Sequence, residues 1–537
     1  MKRSRLRRLA AITAGLMLAA IGTLNSRVGT RRASASTLTV TNTADSGPGS
    51  LRDTIGAANP GDTIMFNLTL PATIILTSGE ISILNNLTIT GPGQVSLTIS
   101  GNFDSRIFDI ATGRNLTLSG LTIANGSDPS AGGAVNNGGT LSVTNCTFTG
   151  SSTAGTGGGI DNNPGAILSV SACIFNSNSA AEGGAILNEG TGTLNVQTST
   201  FGHNSANFGN AGAISNKATG SLNVAASTFN NNSAEFGGSI ATEGTSLIAG
   251  STFGGNTASH NGGAILIDGG TTTVVNCTFS GNAATNQGGA IDIAAGATVA
   301  NCTLSGNSAG SGSGGGIFVT SLVSPPPVNL QNNIIAHSTT GGDCVNQGTA
   351  TVNSHNLIQD GSCSPMLSGN PMLGPLQNNG GPTLTMALLA GSPAIDQGDD
   401  SVLGAPLSLT ADGRGTGFPR KSGLHVDIGA FELQQVGPSF DTCLKDNSSG
   451  NLIQWNSTTG QYQFTRCSDN FTLSGTGTVA VVNGIRTLTD FKADRRIRAG
   501  FNKGQLTGNA TIYLKIGNGV WQVFQVNDTN PSAVCKC

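Results

Sequence analysis

The chain has 537 residues, 79 of them glycine, with 10% charged, 4% aromatic and a formal net charge of −3. That near-neutral balance gives no general pull toward nucleic acid, and the length allows one large core and a second small domain. High Gly, Ser, Thr and Asn also occur in disordered chains, but here they recur at a fixed period between apolar residues, which argues for a packed core.

Residues 1–35 read as a cleavable export signal. Lys2, Arg3, Arg5, Arg7 and Arg8 form a basic start, Leu9 to Leu24 is apolar, and Ala33-Ser34-Ala35 offers a small-residue cut before Ser36. Arg7-Arg8 leaves twin-arginine export open beside the general secretory route. The apolar stretch, about 16 residues, is short for a bilayer span, and no other segment approaches 18. The mature chain is therefore expected to carry no transmembrane segment and to be secreted or held at a bacterial cell surface.

The rod expected over 36–325 opens at Thr37. Ser50-Leu51-Arg52-Asp53-Thr54-Ile55-Gly56-Ala57-Ala58 is the one convincing helical segment, with Ser50 as N-cap. It is placed over the first coil, where bare strand edges would otherwise invite aggregation. Short alternating runs then follow, such as Leu87-Thr88-Ile89 and Val95 to Ile99.

From about residue 130 to 320 one phrase repeats: Gly-Gly-Ala-Ile, a polar turn, a short apolar strand, then Thr-Phe-x-x-Asn-x-Ala. Its aliphatic column is Val135, Ile160, Ile186, Ile214, Ile240, Ile265, Ile291 and Ile317, in steps of 25, 26, 28, 26, 25, 26 and 26. Phe148, Phe175, Phe201, Phe229, Phe253, Phe279 and Leu304 keep the same beat, as do Asn178, Asn204, Asn232, Asn256, Asn282 and Asn307. Each unit holds three period-two runs of about four to five residues and no helical stripe. Three short strands and three turns make one coil of a parallel β-helix, each coil burying its core against its neighbours. Glycine ahead of the aliphatic column supplies a corner. The asparagines are read as a ladder whose amides bond along the rod.

Cys146/Cys173 and Cys277/Cys302 fall two residues before the phenylalanine column on successive coils. Stacked parallel side chains are poorly aimed for an S–S bond, so these are read as reduced, buried thiols. Cys344 and Cys363 flank a glycine-rich loop and are read as a disulfide, favoured in an exported chain. No cysteine has the spacing of a zinc site.

Pro325-Pro326-Pro327 breaks the pattern, and 326–437 becomes turn-rich with charged punctuation, read as irregular final coils and a closing cap. Residues 438–537 are read as a separate small antiparallel β module. It holds both tryptophans, both tyrosines, and Cys443, Cys467, Cys535 and Cys537, whose pairing into two bridges is not deducible.

The Gly-Gly-Ala-Ile and Phe-x-x-Asn phrases resemble the repeats of polymorphic outer-membrane proteins, whose passengers are surface β-helices with adhesin roles in the pectin-lyase-like superfamily. Thr41-Asn42-Thr43 with Ser50-Leu51-Arg52 is similar to the entry segment of many secreted bacterial β-helices, and 365–433 looks like the choice-of-anchor module that follows such rods. The resemblances cover most of 37–433. With the general chirality of β-crossovers they imply a right-handed coil. The chain ends Cys535-Lys536-Cys537 with no recognisable barrel, sorting motif or anchor, so autotransport is not implied.

That superfamily includes polysaccharide lyases and hydrolases, so chemistry is sought residue by residue. A uronate lyase needs a cationic base and usually acidic oxygens holding Ca²⁺. Between Arg114 and Arg414 there is no arginine, and between Arg114 and Pro325 the only lysine is Lys217. A glycosidase needs two carboxyls about 5–9.5 Å apart. Glu243 and Asp268, in the column Asn163, Glu189, Lys217, Glu243, Asp268, are the weak candidates, and an exposed salt ladder is the preferred reading. His203 and His260 have no nucleophile motif around them. Asp396, Asp399, Asp412, Asp427 and Glu432 are weak Ca²⁺ candidates, with internal pairing to Arg414 and Arg420 preferred. Lys492, Arg495, Arg496, Arg498 and Lys503 offer a basic run for anionic envelope glycan or lipid headgroups, against a plain solvated face. The expectation is a non-enzymatic structural or adhesion-type binding rod without cofactor. Its partners are envelope glycan or components of host or neighbouring surfaces; the alternative is a carbohydrate-active enzyme, a hydrolase rather than a uronate lyase.

Overall fold

The computed structural model describes residues 35–310, 312–320, 327–348 and 352–434, and, as backbone alone, nine strands between 442 and 528. Residues 1–34 of the expected export signal, and Cys467, Cys535 and Cys537, lie outside what is described; of Cys443 only the backbone is described, in the strand Thr442–Lys445. The chain divides into two units, 1–434 and 435–537. Among the described residues no helix is long and apolar enough to cross a membrane.

The first unit is a right-handed parallel β-helix. Three sheets run its length: sheet 1 with 13 strands, sheet 2 with 12 and sheet 3 with 11. One coil runs Ile160–Asn162 in sheet 3, Ile167–Ser171 in sheet 1, Ile174–Asn176 in sheet 2, and returns at Ile186. The aliphatic column is in register, with Ile186 paired to Ile214 and Ile214 to Ile240. A fourth, two-residue strand forms over Asn-x-Ala, as in Ser179–Ala180, giving a seven-stranded corner ribbon that three-run reading missed. Two residues are too few to register as an alternating run.

Inside, like sits on like. The rings of Phe148, Phe175, Phe201, Phe229, Phe253 and Phe279 are buried, with centroids 4.7–4.9 Å apart and planes within 7°. The spacing is that of the strands that carry them. Beside them the asparagine ladder is present as expected. Asn204 Nδ2 donates to Asn232 Oδ1 of the next coil (3.0 Å) and to the Phe175 carbonyl of the previous one (2.9 Å). Its backbone N–H also donates to Asn232 Oδ1 (3.0 Å). A second ladder escaped notice: Asn137, Asn162, Asn188 and Asn216 are joined in succession at 2.7 Å, and Asn216 donates to Thr242 at 3.1 Å. The four repeat cysteines are free and buried. Cys146 N–H faces Cys173 Sγ, and on later coils Ser199, Ser227 and Ser251 accept the same backbone bond through Oγ.

The regular coils from Val135 to Ile317 turn their corners in the left-handed backbone region. Gly183 (φ 64°) and its equivalents precede sheet 3, where a Cβ on Gly183 would lie 2.7 Å from the Ile186 carbonyl. The corner from sheet 1 to sheet 2 uses the same region without glycine at Asn145, Ala172, Thr198, Ala226, Asn276 and Asn301. Asparagine tolerates it; Thr198, β-branched, does not do so easily.

At the entry, Ser50 caps the helix α1 (Leu51–Ala57), accepting from Asp53 N, and Leu51 and Ile55 close the first coil. At the other end Cys344 and Cys363 are disulfide-bonded, with Cα atoms 5.8 Å apart. The segment after 370 lies along the rod rather than only across its end. Thr383 Oγ1 donates to the Gly250 carbonyl, Asn276 Nδ2 to Ala411 and Gly429 N to Asn332, all on the sheet 1 to sheet 2 corner. Sheet 2 explains this placement: its outward positions turn from Thr278 and Ser280 to Ile334 and Ala336, which Leu388, Ile428 and Phe431 cover. The second unit contains antiparallel sheets of four, three and two strands.

Asn232→Ala should cost about 3 kcal/mol or more, since it strands the Asn204 N–H and the Phe201 carbonyl in the interior. Exposed Asn223→Ala should stay within about 0.5 kcal/mol; urea midpoints compare the two. Thr198→Asn should raise the midpoint by the equivalent of about 0.5–1 kcal/mol, because the φ of 50° suits asparagine.

Candidate functional site

Sheet 3 and the turns beside it hold the few charges of the rod's regular coils. In each of its strands the first and third residues point inward and the second points out. The outward column runs Asp109, Asn136, Asp161, Leu187, Ser215, Ala241, Leu266 and Asp292. Turns before the strands (Thr156, Glu182, Asn210, Phe236) and after them (Glu189, Lys217, Glu243, Asp268) rise on both sides, leaving a groove along the rod. The overhang is deep enough that Asp161 and Asp292 are each 1% exposed although they sit on the outer face.

Lys217 crosses this groove. Its Nζ bonds Glu182 of one wall at 3.0 Å and Glu243 of the other at 2.6 Å. Burial alone would lower its pKa; the bonds to Glu243 and Glu182 outweigh that and hold it above the ordinary value. Glu243 is thus committed to Lys217 rather than poised beside Asp268. Asp268 instead shares a pocket of ≈ 280 Å³ with Asp292, Phe236, Leu266, Asn210, Asn261 and Gln287. Burial raises the Asp268 pKa, and the charge of Glu243 adds to it. Burial pushes Asp292 up to about 6, opposed by the Asn261 amide and reinforced by Asp268. Asp292 Oδ1 accepts no hydrogen bond. Asp161, on the far side of Lys217, is pushed by burial to about 7 against a bond from Thr156 Oγ1 (2.7 Å).

Asp161 and Asp292 were not singled out in the sequence. The signal was there: an acid in the middle of a three-residue strand, where other coils place Leu, Ser or Ala. His203 is exposed, and His260 faces Glu235 at 3.4 Å while stacking on Phe236 with centroids 4.9 Å apart.

The acidic residues of the flank segment separate into two sets. Asp412 binds Arg414 at 2.6 Å, with the guanidinium between the rings of Phe418 and Phe431, and Glu432 binds the buried Arg420 at 2.8 Å. Asp427 accepts backbone N–H groups of Asp396 and Leu433. Asp396 and Asp399 line a different, open pocket with Asp400, His355 and His425. Asp399 caps a turn at Ser401 N and accepts from Gln331, while Asp400 binds Lys421 and His425. No group of three or more His, Cys, Asp or Glu with metal-site geometry occurs among the described residues. Of the basic run, only the backbone of Arg498 is described, in the strand Arg498–Asn502; Lys492, Arg495, Arg496 and Lys503 lie outside it.

No protein-family model and no curated protein matches this chain. Among solved structures it is similar to the PL6 family alginate lyase AlyGC at 15% identity, covering 65% of this chain and 55% of that one, with a TM-score of 0.37. It is also similar to a mannuronic acid specific polysaccharide family 6 lyase from human gut microbiota at 11% identity, covering 58% and 83%, with a TM-score of 0.33. The chain thus spans about half the length of the first. The likeness is one of coil architecture and gives no residue here a role.

The folded pKa of Asp161 lies above its ordinary value of 3.8, so between about pH 4 and 7 the native state holds a proton the unfolded chain releases. The stability that this proton carries is complete at low pH and lost as pH rises through about 7. Asp161→Asn, which cannot ionise, should therefore stabilise the rod by about 2–3 kcal/mol at pH 8 and change little at pH 4, read from thermal melts across that range.

Proposed function

We propose that this chain is an exported, non-enzymatic binding rod of the bacterial surface or extracellular space, lying against uncharged glycan along sheet 1. One observation carries the reading. From Asn115 to Gln331 the nine strands of sheet 1 contain no charged and no aromatic residue. Their outward ranks are mostly short polar groups at strand spacing, such as Ser142, Ser169, Asn195 and Asn223, with Ile167 and Leu247 among them and a run of Ala225, Ala249, Val275 and Ala300 in the rank nearest sheet 2. Nine strands about 4.8 Å apart and about 16 Å long give roughly 600 Å² of flat face. That is less than the ~800 Å² per partner of a stable protein complex, so affinity comes from many weak, repeated hydrogen bonds. The resemblance of the repeats to surface adhesins supports the same reading. In it the C-terminal module, through Lys492, Arg495, Arg496, Arg498 and Lys503, faces anionic envelope components.

A carbohydrate-active enzyme is the second reading, favoured by the Asp268 and Asp292 carboxyls sharing one pocket. It would be a hydrolase: the scarcity of cations on the rod leaves a uronate carboxylate unmatched.

Two measurements separate the readings. Pull-down by insoluble neutral polysaccharides should retain the full chain, and Asn195→Glu with Asn223→Lys, a cross-strand ion pair that leaves the sheet folded, should weaken retention at least about fivefold. Incubation with mixed polysaccharides should release no reducing sugar. Release that disappears in Asp268→Asn would overturn the non-enzymatic reading, and retention unchanged by the charged pair would remove sheet 1 as the binding face.

A further inference from the structure

The pocket around Asp292 lacks something that most other acids of this face have; Asp161, whose Oδ1 is also without a partner, still takes the Thr156 hydroxyl on its other oxygen at 2.7 Å. Asp109 accepts from Asn136, Glu243 from Lys217, and Glu80 and Asp128 share Arg106. Asp292 is 1% exposed, its Oδ1 has no partner, and the nearest lysine on this face, Lys217, is already held by Glu182 and Glu243. Two carboxyls, Asp268 and Asp292, therefore face one pocket with no cation between them. Phe236, its ring stacked on His260, stands on the wall opposite Asp268, and Leu266, 6% exposed, lies on the floor beside Asp292. Three primary amides, Asn210, Asn261 and Gln287, complete the lining. The 28-residue coil adds two residues to the turn before sheet 3, and Phe208, two positions ahead of Asn210, stands 86% exposed there.

We propose that this pocket is a subsite for an amino sugar, a pyranose unit whose ammonium group sits between Asp268 and Asp292 and whose ring lies against Phe236. The ammonium supplies both the counter-charge and the donor that Asp292 Oδ1 lacks. A carboxylate desolvated without a partner is costly, and a bound cation removes that cost. The amides offer donors and acceptors for ring hydroxyls, and the aromatic face takes the C–H side of the ring and attracts positive charge. A pocket of ≈ 280 Å³ has room for one ring. A uronate is disfavoured, because it would place a third or fourth anion beside Asp268, Asp292 and Glu243. An N-acetylated sugar brings no charge. The site lies on sheet 3 and is separate from the uncharged face of sheet 1.

Calorimetric titration of the full chain with a glucosamine oligomer tests this. Binding is expected for the free-amine oligomer, at least about tenfold weaker for its N-acetylated counterpart and for oligogalacturonate. Asp292→Asn and Asp268→Asn should each weaken binding about tenfold, the loss of one charge-assisted bond, and Phe236→Ala several-fold. Asp292→Asn removes a buried charge, so its melting temperature should equal or exceed the parent's, which keeps misfolding apart from lost contact. The Asn195→Glu with Asn223→Lys variant should bind the glucosamine oligomer as the parent does. Equal binding of the N-acetylated oligomer would overturn the proposal. So would tighter binding of oligolysine, the mark of a mere charge patch, or Asp292→Asn and Phe236→Ala indistinguishable from the parent.

Discussion

From Asn178 to Asn307 each coil of this rod is closed by a side chain that belongs to its neighbour. The asparagine at the corner after sheet 2 gives its amide hydrogens to a phenylalanine carbonyl of the preceding coil and to the next asparagine, whose Oδ1 also takes its backbone N–H. Corner peptides cannot pair within a sheet, and buried ones left unpaired cost about 1–3 kcal/mol each. The ladder supplies the missing partners and does so only when coils are in register. A slip by one residue would bring Asn231 or Ser233 level with Asn204 and turn the Asn232 amide out of the ladder. Specificity of stacking thus comes from polar groups, while the phenylalanine and isoleucine columns supply the apolar burial.

The same arrangement fixes where variation is permitted. Inward positions repeat because each must match what lies above and below; the outward positions have no such condition. Sheet 1 uses that freedom to remain uncharged, sheet 3 to collect the acids, and sheet 2 to become apolar after Thr303, where Ile334 and Ala336 receive the returning flank segment. That segment is held by two buried ion pairs, Arg414 with Asp412 and Arg420 with Glu432. Both guanidiniums are tied to backbone carbonyls as well, Arg414 to Glu432 and Arg420 to Gly429. Buried pairs of this kind add little net stability over apolar packing, but an arginine with a single geometry specifies how a loop-rich segment lies on a flat sheet.

Much of this was legible in the residues alone. The period, the phenylalanine and asparagine columns, the Ser50 cap and the Cys344–Cys363 bridge all leave marks that local chemistry explains. What stayed hidden is instructive. The corner ribbon was invisible because two residues make no pattern. The second ladder, Asn137 to Asn216, was invisible because asparagine after an apolar strand reads equally as a turn. The flank segment reads as a cap because its charged punctuation says that ions pair without saying across which surface it lies. Glu243 and Asp268 were linked by column spacing, yet spacing along the rod does not tell which side of the groove a carboxylate leans toward. Lys217 reaching Glu182, a residue from the opposite wall, decides that, and no linear reading joins positions 35 apart across a groove.

The groove's electrostatics follow from this geometry. Lys217 is the sole lysine or arginine between Arg114 and Arg414, and by spanning both walls it splits one acidic trough into two compartments, Asp161 on one side and Asp268 with Asp292 on the other. The two buried aspartates are not equivalent. Asp161 accepts a hydroxyl from Thr156 and lies within reach of the Arg106 charge, both of which favour its ionised form, yet burial outweighs them and holds its pKa at about 7. Asp292 has a like-charged neighbour in Asp268, a lower pKa of about 6, and the Phe236 ring in the same pocket. At neutral pH it therefore carries most of its charge in a setting that offers no counter-ion. Both buried aspartates leave an Oδ1 without a partner, and of the two it is Asp292 that shares a pocket with a second carboxyl, Asp268.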